Sequence, residues 1–210
     1  MNGTINRWRG FTILVIAIGV ILLSACGPAA ATQPPPTPTL NALDLVHAFE
    51  TAQNNHDISK VMALFTDDAS LIDIEGNVLT LQEKIQKYIE YNEGINQEIH
   101  FTNCQVSGIS VKCNYTSTDD CTKAFGLNPL PGTYYFILSN NKIKIITENR
   151  FWNSPEFIQA FEIYERFTAW FDKNYPDEWA AINVSDESWT TRETGYLLIK
   201  RCLEFQESQE

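Results

Sequence analysis

From Phe11 to Leu23 the chain is an almost unbroken apolar run, preceded by Arg7 and Arg9 and with no acidic residue before Cys26. A helix over that run, rising about 1.5 Å per residue, reaches about 20 Å, short of the roughly 30 Å hydrocarbon core of a bilayer. Its length and charge order are those of a secretory h-region rather than of a permanent span. This feature constrains the fold more than any other. As an export leader it stands apart from the folded part and sends the remainder to an oxidising compartment, where cysteines cross-link.

The next residues, Leu23-Ser24-Ala25-Cys26-Gly27, resemble the bacterial lipoprotein lipobox. In that family a peptidase cuts before the cysteine, whose thiol carries diacylglycerol and whose new amino terminus is usually acylated. The resemblance implies a lipoprotein held through Cys26, by acyl chains of the palmitate kind, on the extracytoplasmic side of a bacterial cell membrane. Two or more chains anchor durably because each buried CH₂ contributes about 0.8 kcal/mol. Residues 26–40 hold five of the nine prolines, in PAAATQPPPTPT. Such a segment buries no core and runs as extended polyproline II, a stand-off tether. Removing the leader takes away two arginines and no acid, so the formal charge falls from −11 to −13. With no basic run in the remaining chain, nucleic acid is excluded as a partner, and contact with an anionic bilayer is discouraged.

Four cysteines remain: Cys104, Cys113, Cys121 and Cys202. Of the three possible pairings, one has a local geometric argument. Ser107-Gly108-Ile109-Ser110 places glycine where a type II′ hairpin turn requires it. That register sets Cys104 opposite Cys113 at a non-hydrogen-bonded position, where Cα atoms lie about 4.5 Å apart. Cys121–Cys202 follows by elimination, with two buried thiols as the alternative. The spacings fit no zinc pattern, and His47, His56 and His100 are scattered, so neither metal nor cofactor is expected.

Apolar periodicity predicts a helix capped by Asn41 and a shorter one capped by Asp57 that carries Ile58, Val61, Met62 and Phe65. A strand follows over Ala69 to Ile74. Thr80-Leu81-Gln82-Glu83 reads as a capping box opening a third helix, with Leu81, Ile85, Tyr88 and Ile89 on its buried face. Hairpins are predicted over Glu98–Cys104 with Ser110–Ser117 and over Thr133–Leu138 with Lys142–Thr147, with a short helix around Asp119–Phe125 between them. Beyond Ser154-Pro155-Glu156, Phe157, Phe161, Tyr164, Phe167 and Phe171 form an aromatic stripe. Two further helical stretches lie near Asp177–Ile182 and Thr191–Phe205, and Trp170, Trp179 and Trp189 belong to this tail. The order is that of an α+β fold with helices packed into a curved sheet. The expected organisation is a domain over 41–150 with a helical extension, 151–210, packed on it.

Residues 49–73, FETAQNNHDISKVMALFTDDASLID, resemble the opening of the nuclear transport factor 2 superfamily, which includes ketosteroid isomerase and the SnoaL-like polyketide cyclases. The shared features are the first helix, the Asn-x-x-Asp break, the ALFTDDA phrase and a strand ending in Asp. The resemblance implies a cone of curved antiparallel sheet and helices around an apolar pocket. Ketosteroid isomerase, a worked case in the physical chemistry of catalysis, uses an Asp base and an oxyanion hole of Tyr and protonated Asp. By this resemblance Asp73 falls at the base and Phe49 at the oxyanion tyrosine. The second donor falls near Thr133 or Tyr134, neither of which is an acid. The full isomerase machinery is therefore absent.

Asp73 is either a desolvated carboxylate acting as base or a turn aspartate bound to backbone amides. His100 is either its acid–base partner or a half-exposed strand residue. Phe49, Tyr88, Thr133 and Tyr134 are candidates to line a pocket. Three readings follow. The leading one is a lipid-anchored envelope protein binding a small apolar or amphipathic ligand without turnover. The second is an isomerase, cyclase or dehydratase with Asp73 as base. The third is an interaction module that meets an envelope protein or a second copy. An open apolar cone favours the first two, and a filled cone with an exposed apolar patch favours the third.

Overall fold

A computed structural model describes residues 41–73, 76–80, 82–183 and 191–209. The leader, Cys26, the tether, Leu81 and Trp189 lie outside the described residues.

Helix α1 (Ala42–Asn54) starts where the Asn41 side chain accepts from the Asp44 amide at 2.9 Å, and it buries Leu45, Val46, Phe49 and Ala52. Helix α2 (Ile58–Ala63) is capped in the same way by Asp57. Strand β1 (Phe65–Ile72) pairs with the two-residue β2 (Val78–Leu79). After α3 (Gln82–Gly94) come β3 (Glu98–Ser107) and β4 (Ser110–Thr118), the short α4 (Asp120–Ala124), and β5 (Leu130–Ser139) with β6 (Lys142–Arg150). Helices α5 (Pro155–Asn174), α6 (Pro176–Asn183) and α7 (Arg192–Glu207) form the tail. The six strands make one curved, unclosed sheet in the order β2-β1-β6-β5-β4-β3. The fold class is the α+β arrangement read from the sequence.

Three details depart from expectation. The sheet is mixed, because β1 runs parallel to β6 while the other neighbours are antiparallel. Phe65 opens β1 rather than closing α2, since pairing with Ile143 buries its ring. The second hairpin is longer than predicted, reaching Leu130 and Arg150, and its turn residues Asn140 and Asn141 both adopt the positive φ of a type I′ turn.

Both disulfides match the expected pairing: Cys104–Cys113, with Cα atoms 4.1 Å apart, and Cys121–Cys202, with 5.5 Å. The first sits beside a bulge at Asn103, between the Thr102–Asn114 and Gln105–Lys112 pairs. The second ties α4 to α7 inside a tail core of Phe167, Phe171, Ile182, Leu198 and Phe205. A separate, larger core lies between α1, α3 and the inner face of the sheet.

Candidate functional site

The inner face of the sheet is apolar and aromatic along most of its length. Phe49 from α1 packs against Phe65, Phe101, Tyr134 and Phe136, with ring centroids 5.8–6.4 Å apart. Phe49, Phe65 and Phe136 are almost completely buried. These rings fill the space that the family resemblance makes a pocket.

The inner face becomes polar at the open end of the β5–β6 hairpin, away from its Asn140–Asn141 turn. Strand register places Cys113, Tyr134 and Glu148 in one row and Tyr115, Gly132 and Arg150 in the next. Glu148 is only 2% exposed. Its carboxylate accepts from the hydroxyls of Tyr115 at 2.6 Å, Tyr88 at 2.9 Å and Tyr134 at 3.1 Å. Gly132 makes this possible. A Cβ there would lie 2.5 Å from the Asn149 carbonyl oxygen and 2.6 Å from Tyr115 Cζ, so only glycine lets the Tyr115 ring lie across β5 to reach Glu148. Burial, reinforced by the Glu148 charge, holds all three hydroxyls well above the usual phenol range, so they stay protonated donors. Arg150 Nε lies 3.7 Å from Glu148 Oε1. Burial works against the guanidinium charge, but Glu148 outweighs it and keeps Arg150 protonated.

Arg150 also reaches the opposite side. With Leu130, Trp152, Phe157, Ile158, Phe161 and Tyr164 it lines a groove of about 360 Å³ between the start of β5, the end of β6 and the first turns of α5. Its Cζ stands 5.6 Å from the centre of the Phe157 ring. Trp152, Ile158 and Phe161 are more than half exposed, so Phe161 is not part of the buried stripe predicted for α5. Glu162 stands exposed at the rim.

The residues singled out from sequence are dispersed. Asp73 closes the β1–β2 turn: its carboxylate accepts from the Asn77 backbone amide at 2.9 Å and from the Asn77 side chain at 3.1 Å. His100 points from β3 away from buried Ile99 and Phe101 and faces Glu50 at 3.8 Å. Asp73 follows β1 while His100 lies on β3, four strands away, about 19 Å along the sheet at the usual strand spacing. No acid–base pair is assembled from the two. Tyr88 and Tyr134 meet at Glu148, Phe49 belongs to the aromatic filling, and Thr133 is buried beside Tyr134 on β5. Sequence reasoning missed Glu148, Arg150 and the groove. The signal was present in Ile146-Thr147-Glu148-Asn149-Arg150, where the period of two carries a carboxylate and a guanidinium in phase with the buried Ile146.

No family model matches the chain, and no curated protein does either. Solved structures resemble about half of it. A nuclear-transport-factor-2-like protein of unknown function from Cytophaga hutchinsonii is 13% identical, with 55% of this chain and 94% of that one covered and a TM-score of 0.46. A cystatin-fold protein from Novosphingobium aromaticivorans is 16% identical, with 53% and 99% covered and a TM-score of 0.45. A protein with a ketosteroid-isomerase-like fold from Catenulispora acidiphila, solved with trimethylamine, is 17% identical, with 50% and 82% covered and a TM-score of 0.42. Likeness at this level assigns neither ligand nor reaction.

Proposed function

We propose that this chain is a lipid-anchored, extracytoplasmic protein of the nuclear transport factor 2-like kind that binds a small apolar or amphipathic ligand without turnover. The ligand site is the α5 groove rather than the cone interior. The observation that carries this reading is the contrast between the two spaces. Aromatic rings occupy the interior, whereas the groove is concave, mostly apolar and of small-molecule size, with the Arg150 guanidinium in its wall and Glu162 exposed at its rim. The two disulfides support an oxidising compartment, and the lipobox supports attachment through Cys26. Among the described residues no helix is long and apolar enough to cross a membrane. By the criterion read from the sequence, the filled interior and the exposure of Trp152, Ile158 and Phe161 favour the interaction module. What favours a small ligand instead is the concave shape and small-molecule volume of the groove around Arg150, and the module reading requires a partner that covers the same groove.

Nile red, a neutral apolar probe, is expected to bind the purified full chain saturably. Phe161→Arg, at a side chain 62% exposed and therefore tolerant of substitution, is expected to abolish that binding without lowering Tm. Unchanged binding in the variant would move the ligand site elsewhere. Absence of any binding by the native chain, together with a crosslinked envelope protein across Trp152, would replace ligand binding with partner docking. Cys26→Ser is expected to move the protein from the membrane to the soluble extracytoplasmic fraction.

A further inference from the structure

The cationic group in the groove, Arg150, is held unlike the largely buried Arg201. Arg201 makes a bidentate pair with Glu178 at 2.7 and 2.9 Å, a third bond to Glu204 at 2.5 Å, and stacks on Tyr175 with Cζ 3.6 Å from the ring centre. That guanidinium is committed to carboxylates on α6 and α7, as expected of a structural arginine. Arg150 forms no such pair: its Nε stands 3.7 Å from Glu148, beyond hydrogen-bond reach, and is buried without a hydrogen-bond partner, while the guanidinium also meets the Tyr115 hydroxyl and feels the Asp119 charge. Glu148 does not depend on it, because three tyrosine hydroxyls already supply that carboxylate. The side chain is 22% exposed and forms part of the groove wall, whereas Glu148 does not. An arginine has five N–H donors and no acceptor. Here it stands between a satisfied carboxylate, the Tyr115 hydroxyl and the Phe157 ring and forms part of a mostly apolar groove wall, with Glu162 exposed to solvent at the rim.

We propose that the groove selects small amphiphiles bearing one anionic oxygen group, foremost a carboxylate, with Arg150 receiving the head and Trp152, Ile158 and Phe161 covering the apolar body. This rests on the ligand-binding reading of the same groove and adds the class of ligand to it. A planar guanidinium matches a carboxylate through two parallel donors, and low water access beside Phe157 strengthens the pair. A volume of about 360 Å³ is at the small end of ligand sites and suits a compact body, from one ring with a short chain to a flat fused-ring dye, rather than a diacyl lipid. Glu148 and its tyrosines act as positioning groups. They hold the guanidinium at the groove without adding an unsatisfied negative charge beneath the ligand.

The test compares 3-phenylpropanoate with 3-phenylpropan-1-ol, which have the same apolar body and differ in the head group. Both are titrated by calorimetry into the full chain carried in phosphatidylcholine nanodiscs, with empty discs as the blank. The acid is expected to bind at least tenfold more tightly than the alcohol. In Arg150→Met the preference for acid over alcohol, read as the ratio of the two affinities in the same variant, is expected to collapse to within about twofold, and Arg150→Lys is expected to keep part of the preference. The native comparison stands alone if Arg150→Met folds poorly. Equal binding of acid and alcohol would overturn the head-group assignment and leave the groove as a neutral apolar site. Failure of both probes, together with failure of Nile red, would overturn the ligand reading itself. Displacement of the acid when phosphatidylglycerol replaces phosphatidylcholine would assign the anionic head to a membrane lipid and overturn the free-acid form.

Discussion

At the scale of the residue, the decisive local arrangement is a buried carboxylate with three tyrosine donors. Hydrogen bonds to a charged group contribute about 1.5–3 kcal/mol each, and the cost of losing one rises where water cannot replace it. Tyr115→Phe removes the shortest of the three, at 2.6 Å, and is expected to lower unfolding free energy by about that amount in urea titrations. The pH dependence has a definite sign. The three phenols are held above 10.0, the value of an unperturbed tyrosine, so the unfolded chain releases its protons first as pH rises. Their contribution is complete below about pH 10 and declines as pH climbs from there towards the folded values. Urea midpoints measured between about pH 8 and pH 11 should fall over the upper part of that range, and less steeply in Tyr115→Phe; a flat profile would contradict the buried cage. Tyr88 and Tyr134 were legible in the sequence as inward residues with hydroxyls to place. Glu148 was not, because the predicted strand stopped at Thr147. A charged residue in an apolar phase becomes informative only once the strand is known to continue past it.

At the scale of the element, the tail is fixed to the domain by a close crossing and a cross-link. Helices α3 and α7 meet at Gly94 and Gly195, where a Cβ on Gly195 would lie 2.8 Å from the Gly94 backbone and 2.9 Å from the Tyr91 carbonyl oxygen. Backbone on both sides leaves no flexible side chain to give way. Gly195→Ala, favourable in an isolated helix by about 1 kcal/mol, is expected instead to lower Tm, and circular dichroism melts would show it. A rise in Tm would mean that the helices separate at no cost. The Cys121–Cys202 bridge closes a long loop beside this crossing, and a loop of that size confers on the order of 4 kcal/mol in the chain-entropy account. Most elements were readable from caps and periodicity: Asn41, Asp57 and Ser154 cap the helices they precede, while Asp119 and Thr191, read as the first residues of their helices, turn out to cap them. The glycine crossing was not readable, because neither glycine breaks a helical pattern and only a partner helix reveals why its Cβ is missing. Phe161 was misread for a related reason. It keeps the period of the α5 stripe, yet the buried face of the first turns is taken by Phe157 and Ala160, which leaves the Phe161 ring 62% exposed.

At the scale of the molecule, an α+β cone can be a container or a core, and the aromatic content of this one makes it a core. Phe49 is central, touching four other rings, and its truncation removes a group that the surrounding strands and helices cannot collapse to replace. Phe→Ala at such a position costs about 3–5 kcal/mol. The space left behind is lined by Phe65, Phe101, Tyr134 and Phe136, and apolar cavities of roughly 150 Å³ stay dry and accept benzene. With the groove blocked by Phe161→Arg, saturating benzene is expected to raise the Tm of the Phe49→Ala protein and to leave that of the Phe49 protein unchanged. If benzene stabilised both equally, the interior would already hold room for a ligand, and the functional site would return to the cone. If it stabilises only the truncated protein, the interior is a packed core into which a cavity can be cut. Binding would then belong to the groove, whose wall is built from the extended end of the last hairpin and the first turns of the tail.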